Sequence, residues 1–329
     1  MALFKPLRVV CVLLLILLSP IIASAQSPEV PGVEQQYADV NGIRLHYATI
    51  GQGPLIVFLH GFPEFWYQWK AQLVDFGRDF QAVAPDMRGY NLSSSPTEVS
   101  QYQIKTLVED VRALADHLGK RKFILVGHDW GGIVAWAFAM YHPERLQKLI
   151  ILDAPHLAVF ERELRENPAQ QFESQYMLLF NTPDAEKALM DKNYEGLIFH
   201  VLSDGLQKGY VTEADKQIYL KVWGDQHTLT GGLNYYRACR VGPAPKPGDE
   251  WSVQKHCAPD LKSYVVTVPT LVIWGLQDPY LQLGNLSGLS RYVPDMKTTF
   301  FPDAGHWVNR TKAKEVNQAI REFLGAAAQ

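Results

Sequence analysis

Three side chains far apart in the chain have types suited to working together: carboxylates at Asp129 and Asp278, and an imidazole at His306. Asp129 stands between Gly127 and Gly131, at the end of the apolar run 123–126 and the head of a second apolar stretch. A tight strand-to-helix turn needs glycines at those two places, because a Cβ on either would meet neighbouring backbone. Such a turn lifts its central residue clear of the sheet as a nucleophile. The following helix start, with its dipole and free N–H groups, keeps a carboxylate there ionised. A nucleophile so placed needs a base and an acid to orient it, in the chain order nucleophile, acid, histidine. Asp278 follows the apolar run 270–274, and His306, after Gly305, follows the run 298–301. Both therefore sit just past late strands in the required order.

The elements that position them can be read in the same way. Residues 37–40 and 43–50 flank Asn41 and Gly42, the strongest short signal for a β-hairpin. Residues 55–59 predict a buried strand running into the loop His60, Gly61, Phe62, Pro63, Glu64, and residues 80–84 predict another. Ile104, Leu107, Val108, Val111, Leu114, Ala115 and Leu118 recur at helical spacing up to Gly119, and residues 149–152 predict a further strand. Strands alternating with helices imply a mostly parallel sheet covered on both faces, with chemistry at the carboxyl ends of the strands. From residue 154 to 261 the pattern is helical, with 160–180 and 184–205 as helical stretches and a Pro/Gly-rich link at 243–248, which predicts a cap inserted over the sheet. Val316, Ala319, Ile320, Phe323 and Leu324 mark a last amphipathic helix. The expected organisation is a signal peptide at 1–25, core at 26–153, cap at 154–261 and core again at 262–329.

Lys5 and Arg8, the apolar stretch 9–18 and the small residues 23–25 form the three parts of a secretory signal, so a secreted or periplasmic protein is expected, with no stable membrane association after cleavage. Without Lys5 and Arg8 the formal charge of −3 becomes −5, which offers no basic footprint for nucleic acid. Cys11 leaves with the signal; Cys239 and Cys257 remain, either as a disulfide or as two free thiols. No Cys/His cluster has metal-ligand spacing and no Gly-rich phosphate loop is present, so neither metal nor organic cofactor is expected. Homo-oligomerisation stays open.

On the motifs at His60–Glu64, Gly127–Gly132, Asp278 and Gly305–Trp307, the chain resembles the epoxide hydrolases of the α/β-hydrolase fold, from about residue 37 to 323 with the cap included. The resemblance implies two cap tyrosines that donate to the epoxide oxygen. Tyr236, in the segment 233–237, matches one; Tyr176, followed four residues later by Phe180, fits the other. Asp153 follows the strand ending at Leu152, where a secreted bacterial subgroup, the Cif-like epoxide hydrolases, carries its relay acid. Asp278 is the preferred relay acid and Asp153 the alternative. That subgroup also has a histidine at the place of Tyr176.

An aspartate nucleophile suits attack on an sp³ carbon, because it leaves an ester that water can cleave, whereas serine would leave an ether. Expected roles follow: Asp129 as nucleophile, His306 as base for water, Asp278 as its orienting acid, and the backbone N–H groups of Phe62 and Trp130 as an oxyanion hole. His60, Trp66 and Trp307 are expected around an apolar, aromatic substrate pocket taking a small-molecule epoxide. A haloalkane dehalogenase with the same nucleophile is the alternative enzyme, although Phe62 stands where such enzymes commonly carry Asn. A non-catalytic small-molecule-binding protein on the same fold is the second alternative.

Overall fold

The protein is described here by a computed structural model covering residues 28–244 and 253–325; the signal peptide expected at 1–25 and part of the 243–248 link lie outside the described residues. Eight strands form one sheet: β1 (Glu34–Val40), β2 (Ile43–Ile50), β3 (Leu55–Leu59), β4 (Gln81–Pro85), β5 (Phe123–His128), β6 (Leu146–Leu152), β7 (Thr270–Gly275) and β8 (Met296–Phe301). Their spatial order is β1-β2-β4-β3-β5-β6-β7-β8. β2 runs antiparallel to β1 and β4, and every other pair is parallel. The hairpin turns at Asn41 and Gly42 with positive φ at both residues, as a tight two-residue turn requires.

β3 and β5 are buried along their whole length, which is why they read as continuous apolar runs rather than alternating ones. Separate apolar clusters cover the two faces of the sheet. The helix Ile104–His117 turns its apolar stripe into one of them and ends before Gly119, whose φ of +69° permits the reversal. The C-terminal helix Ala313–Leu324 buries Val316, Ile320 and Phe323 in the other.

Between β6 and β7 the described residues form helices and no strand. The helical stretch expected over 160–180 is three short helices, Leu157–Glu166, Pro168–Glu173 and Tyr176–Phe180. Pro168 cannot continue the first of these, and Asn167 caps the second by accepting from the Ala169 and Gln170 N–H groups. Similarly, 184–205 is interrupted at Asp191–Tyr194, where Lys192, Asn193 and Tyr194 all take left-handed backbone angles. The last long helix of this region, Gln226–Cys239, is joined by a Cys239–Cys257 disulfide to the helix Val253–Cys257, which decides between the two states the cysteines allowed.

Polar side chains tie this helical region to the sheet. Trp223 Nε1 donates to the Pro63 carbonyl at 2.8 Å, the Tyr67 hydroxyl donates to Asp215 at 2.7 Å, and the Tyr235 hydroxyl donates to the Arg88 carbonyl at 2.9 Å. Arg88 is itself held by a bidentate pair with Asp110 at 2.8 and 2.7 Å. The helices between β6 and β7 are thereby fixed over the ends of β3 and β4.

Candidate active site

The turn after β5 has the strain expected of an elbow. Asp129 has φ 52° and ψ −123°, a conformation costly to a non-glycine residue, and the helix Trp130–Tyr141 starts directly after it. A Cβ on Gly127 would lie 2.4 Å from the Gly131 carbonyl oxygen, and one on Gly131 would lie 2.2 Å from that of Leu59. Gly61 has a related purpose: a Cβ there would sit 2.2 Å from Asp129 Oδ1. Because Gly61 lacks one, the next residue can bring its backbone to the carboxylate, and the Phe62 N–H donates to Oδ1 at 2.8 Å.

The other oxygen, Oδ2, faces His306 Nε2 at 3.6 Å. On the far side of the imidazole, Nδ1 donates to Asp278 Oδ2 at 2.7 Å, which fixes the tautomer and points Nε2 towards Asp129. Asp278 Oδ1 accepts from the Tyr280 and Leu281 N–H groups at 2.8 and 3.0 Å, so the acid is locked by its own turn. The loop carrying His306 is pinned as well. His128 Nε2 donates to the His306 carbonyl at 2.8 Å while its Nδ1 accepts from Gln68 at 3.0 Å. Burial first, and then the charge of His306, push His128 down to about 3, so it stays neutral in this role.

Charges set the resting state. Burial alone would raise the Asp129 carboxyl, but the His306 hydrogen bond and charge, with smaller help from His128 and the Phe62 N–H, hold it below the usual carboxylate range. Burial would lower His306, yet Asp278 and Asp129 together hold it well above the usual histidine range. The resting centre is therefore an imidazolium between two carboxylates.

Asp153 lies behind this centre at the end of β6, fully buried, its Oδ1 accepting from the Gly275 N–H at 2.8 Å. Burial, and then the neighbouring Asp278 charge, push it well above the carboxylate range. The structure thus places Asp278 against His306 and Asp153 against the Gly275 backbone.

Tyr176 and Tyr236 line a cavity of about 260 Å³ with Asp129 and His306. Their rings are 6.5 Å apart, and Tyr236 packs edge-on against Trp130 and Phe180, both at 5.0 Å. Burial raises both hydroxyls well above the usual phenol range; Asp129 adds to this at Tyr176, and Tyr176 followed by Asp129 adds to it at Tyr236. Both keep their protons and can donate. The rest of the wall is mostly apolar, including Phe62, Phe180, Leu189, Leu197, Val201 and Trp307.

Two expected pocket residues are not on this wall. His60 is fully buried, its Nδ1 donating to the Gly61 carbonyl and its Nε2 accepting from the Met87 N–H, each at 2.9 Å. With both ring nitrogens bound to backbone and burial pushing it to about 4, it is a neutral brace for the loop. Trp66 is also fully buried and packs in the core beside Tyr67, because the 3₁₀ turn Trp66–Trp69 faces the sheet. Trp130 keeps its ring beneath Tyr236, leaving its backbone N–H in the first turn of its helix, where such groups lack helical partners.

Several residues at the site carried no signal in the sequence. Tyr280 lies two residues after Asp278, and its ring packs 5.3 Å from that of His306. His200, on the cavity wall, comes from a helical turn with no motif around it. Glu64, last residue of the His60 loop, forms a buried ion pair with Arg310 at 3.0 Å and accepts from the Tyr219 hydroxyl at 2.5 Å. That network joins the Phe62 loop, the helix Glu213–Trp223 and the helix Val308–Thr311, which begins two residues after His306. Glu64 belonged to a visible motif, whereas Arg310 and Tyr219 could be found only in three dimensions.

A family model described as the alpha/beta hydrolase fold matches residues 54–313. The chain is 40% identical over 301 residues to the AB hydrolase superfamily protein YfhM of Bacillus subtilis, covering 89% of this chain and 98% of that one. It is 34% identical over 292 residues to epoxide hydrolase 4 of Homo sapiens, covering 86% and 76%. A crystal structure of an epoxide hydrolase from Bacillus megaterium superposes with a TM-score of 0.82 at 39% identity, over 88% of this chain and all of that one. On these likenesses the chain belongs to the epoxide hydrolase family of the α/β-hydrolase fold.

Proposed function

We propose that this protein hydrolyses small-molecule epoxides to vicinal diols through an ester on Asp129. The observation that carries the reading is an ionised carboxylate on a strained elbow sharing an apolar cavity with two tyrosines that keep their protons. Oδ1 is held by the Phe62 N–H, which leaves Oδ2 to attack. It bonds to an oxirane carbon as the ring C–O bond breaks, and the departing electron pair settles on oxygen, which takes a proton from Tyr176 or Tyr236. Alkylation removes the negative charge of Asp129, one of the two that keep His306 protonated. His306 then releases its proton, which restores the tyrosine, and becomes a neutral base. A water gives its proton to Nε2 while its oxygen bonds to the Asp129 carboxyl carbon. The Phe62 and Trp130 N–H groups receive the resulting oxyanion, each worth about 3 kcal/mol by comparison with other oxyanion holes. On collapse the ester C–O bond breaks and the departing oxygen takes the proton of the added hydroxyl, which releases the diol and leaves the carboxylate opposite an imidazolium, the resting ion pair. No cofactor enters.

An alkyl halide would meet the same carboxylate, but a departing halide needs no proton, and the two phenols favour an oxirane. The helical region between β6 and β7 acts in this reading as a cap that brings the phenols to the nucleophile. Export with cleavage after residue 25 is part of the proposal, supported by the Cys239–Cys257 disulfide, which suits an oxidising compartment. The mass of the mature chain purified from its host tests it.

Intact-mass analysis of His306→Gln tests the chemistry, using an aryl epoxide, an aliphatic epoxide and a bromoalkane. Loss of the base slows ester hydrolysis more than ester formation, so an adduct of full epoxide mass on Asp129 is expected. An adduct with the bromoalkane alone would assign a dehalogenase, and none at all, with no turnover by the unaltered protein, a binding protein.

A further inference from the structure

Two polar side chains on the cavity wall, Tyr280 and His200, form a pair that neither half-reaction uses. His200 Nδ1 and the Tyr280 hydroxyl are 3.1 Å apart. Tyr280 is rigidly placed: its N–H is bonded to Asp278 Oδ1 at 2.8 Å, and its ring packs edge-on against His306 at 5.3 Å and against Tyr176 and Trp307 at 6.0 Å. Around the pair the wall is apolar, formed by Leu179, Leu189, Leu197 and Val201. A phenol oxygen can donate once and also accept, and its bond to His200 leaves one of these capacities open. An apolar substituent lying over that position would strip its water and return nothing, whereas an oxygen in the substituent would replace the lost bond.

We propose that Tyr280 and His200 form a polar subsite that selects epoxides whose substituent carries a hydrogen-bonding oxygen, such as an ether, over hydrocarbon epoxides of the same shape. The inference rests on the epoxide reaction proposed above and names its substrate class. With the Tyr280 ring 6.0 Å from that of Tyr176, the favoured oxygen belongs near the oxirane rather than at the end of a long chain.

Butyl glycidyl ether and terminal epoxyoctane differ by one oxygen in place of a methylene and test the idea as a matched pair. The quantity measured is the ratio of their kcat/KM values, in the unaltered protein, in Tyr280→Phe and in His200→Leu. The ratio cancels any loss common to both substrates, including one transmitted through Asp278 or His306. A neutral hydrogen bond predicts that Tyr280→Phe lowers the ratio about three- to tenfold. His200→Leu, at an exposed position, should lower it less. The same ratio in all three proteins overturns the subsite even if both epoxides are hydrolysed. Failure of the unaltered protein to turn over either epoxide overturns the underlying reaction, and the subsite with it.

Discussion

Replacing Asp278 by Asn tests the relay directly, because the change keeps shape and removes only charge and one acceptor. Asp278 now accepts two backbone N–H groups on Oδ1 and the His306 Nδ1–H on Oδ2. An asparagine would keep its carbonyl oxygen towards the two N–H groups and turn its NH₂ towards His306. Two donors would then face each other, unless the imidazole moved its proton to Nε2, where it could no longer take one from water. The magnitude follows in two ways. At the 2.7 Å separation, a unit charge pair in an effective dielectric of about 20 is worth about 6 kcal/mol to the imidazolium formed as water is activated. A wrong-tautomer substitution in a serine protease triad costs about 10⁴ in kcat, or about 5.4 kcal/mol. Ester hydrolysis should therefore slow by about four orders of magnitude, while ester formation, which uses Asp129 and the tyrosines, changes far less. Rapid-quench single turnovers followed by intact mass would show the ester accumulating in Asp278→Asn. The reasoning fails if hydrolysis slows less than tenfold, or if Asp153→Asn accumulates the ester instead, since that would make Asp153 the working partner of His306.

Three other outcomes are expected. Tyr236→Phe and Tyr176→Phe should each slow ester formation by about ten- to a hundredfold, the value of a hydrogen bond to developing charge, with little effect on ester hydrolysis in the same quench experiment. Glu64→Gln would leave Arg310 buried without its counter-charge, at a cost of about 3–5 kcal/mol in denaturant unfolding, and adding Arg310→Met should recover part of the loss. In pH, the raised His306 contributes stability that is complete below about 6.5 and fades as pH rises through its folded value. The lowered Asp129 contributes stability that is complete above about 3.9 and fades as pH falls through its folded value. The difference in melting temperature between the unaltered protein and Asp129→Ala should therefore change little between those limits and shift outside them. A difference that does not vary with pH would contradict the resting ion pair.

The sequence alone determined most of what depends on short-range rules. The hairpin at Asn41 and Gly42, the buried runs of β3 and β5, and the elbow glycines each answer a local steric or hydrophobic requirement, so they could be read within a few residues. The order of Asp129, Asp278 and His306 was legible because each follows a recognisable strand. The helical region was legible in type but not in detail, since its breaks at Pro168 and at 191–194 depend on how short helices pack over the sheet. Only the tertiary structure shows which of Asp278 and Asp153, two acids at adjacent strand ends, lies against the imidazole: Asp278 bonds to His306 Nδ1 and Asp153 to the Gly275 N–H. It also moved His60 and Trp66 from cavity to core, because an aromatic or imidazole ring beside a motif has the same composition whether it faces substrate or backbone. Tyr280, His200 and Arg310 were invisible for the same reason: the partners that give them meaning are distant in the chain, and proximity between distant residues is a property of the packed fold.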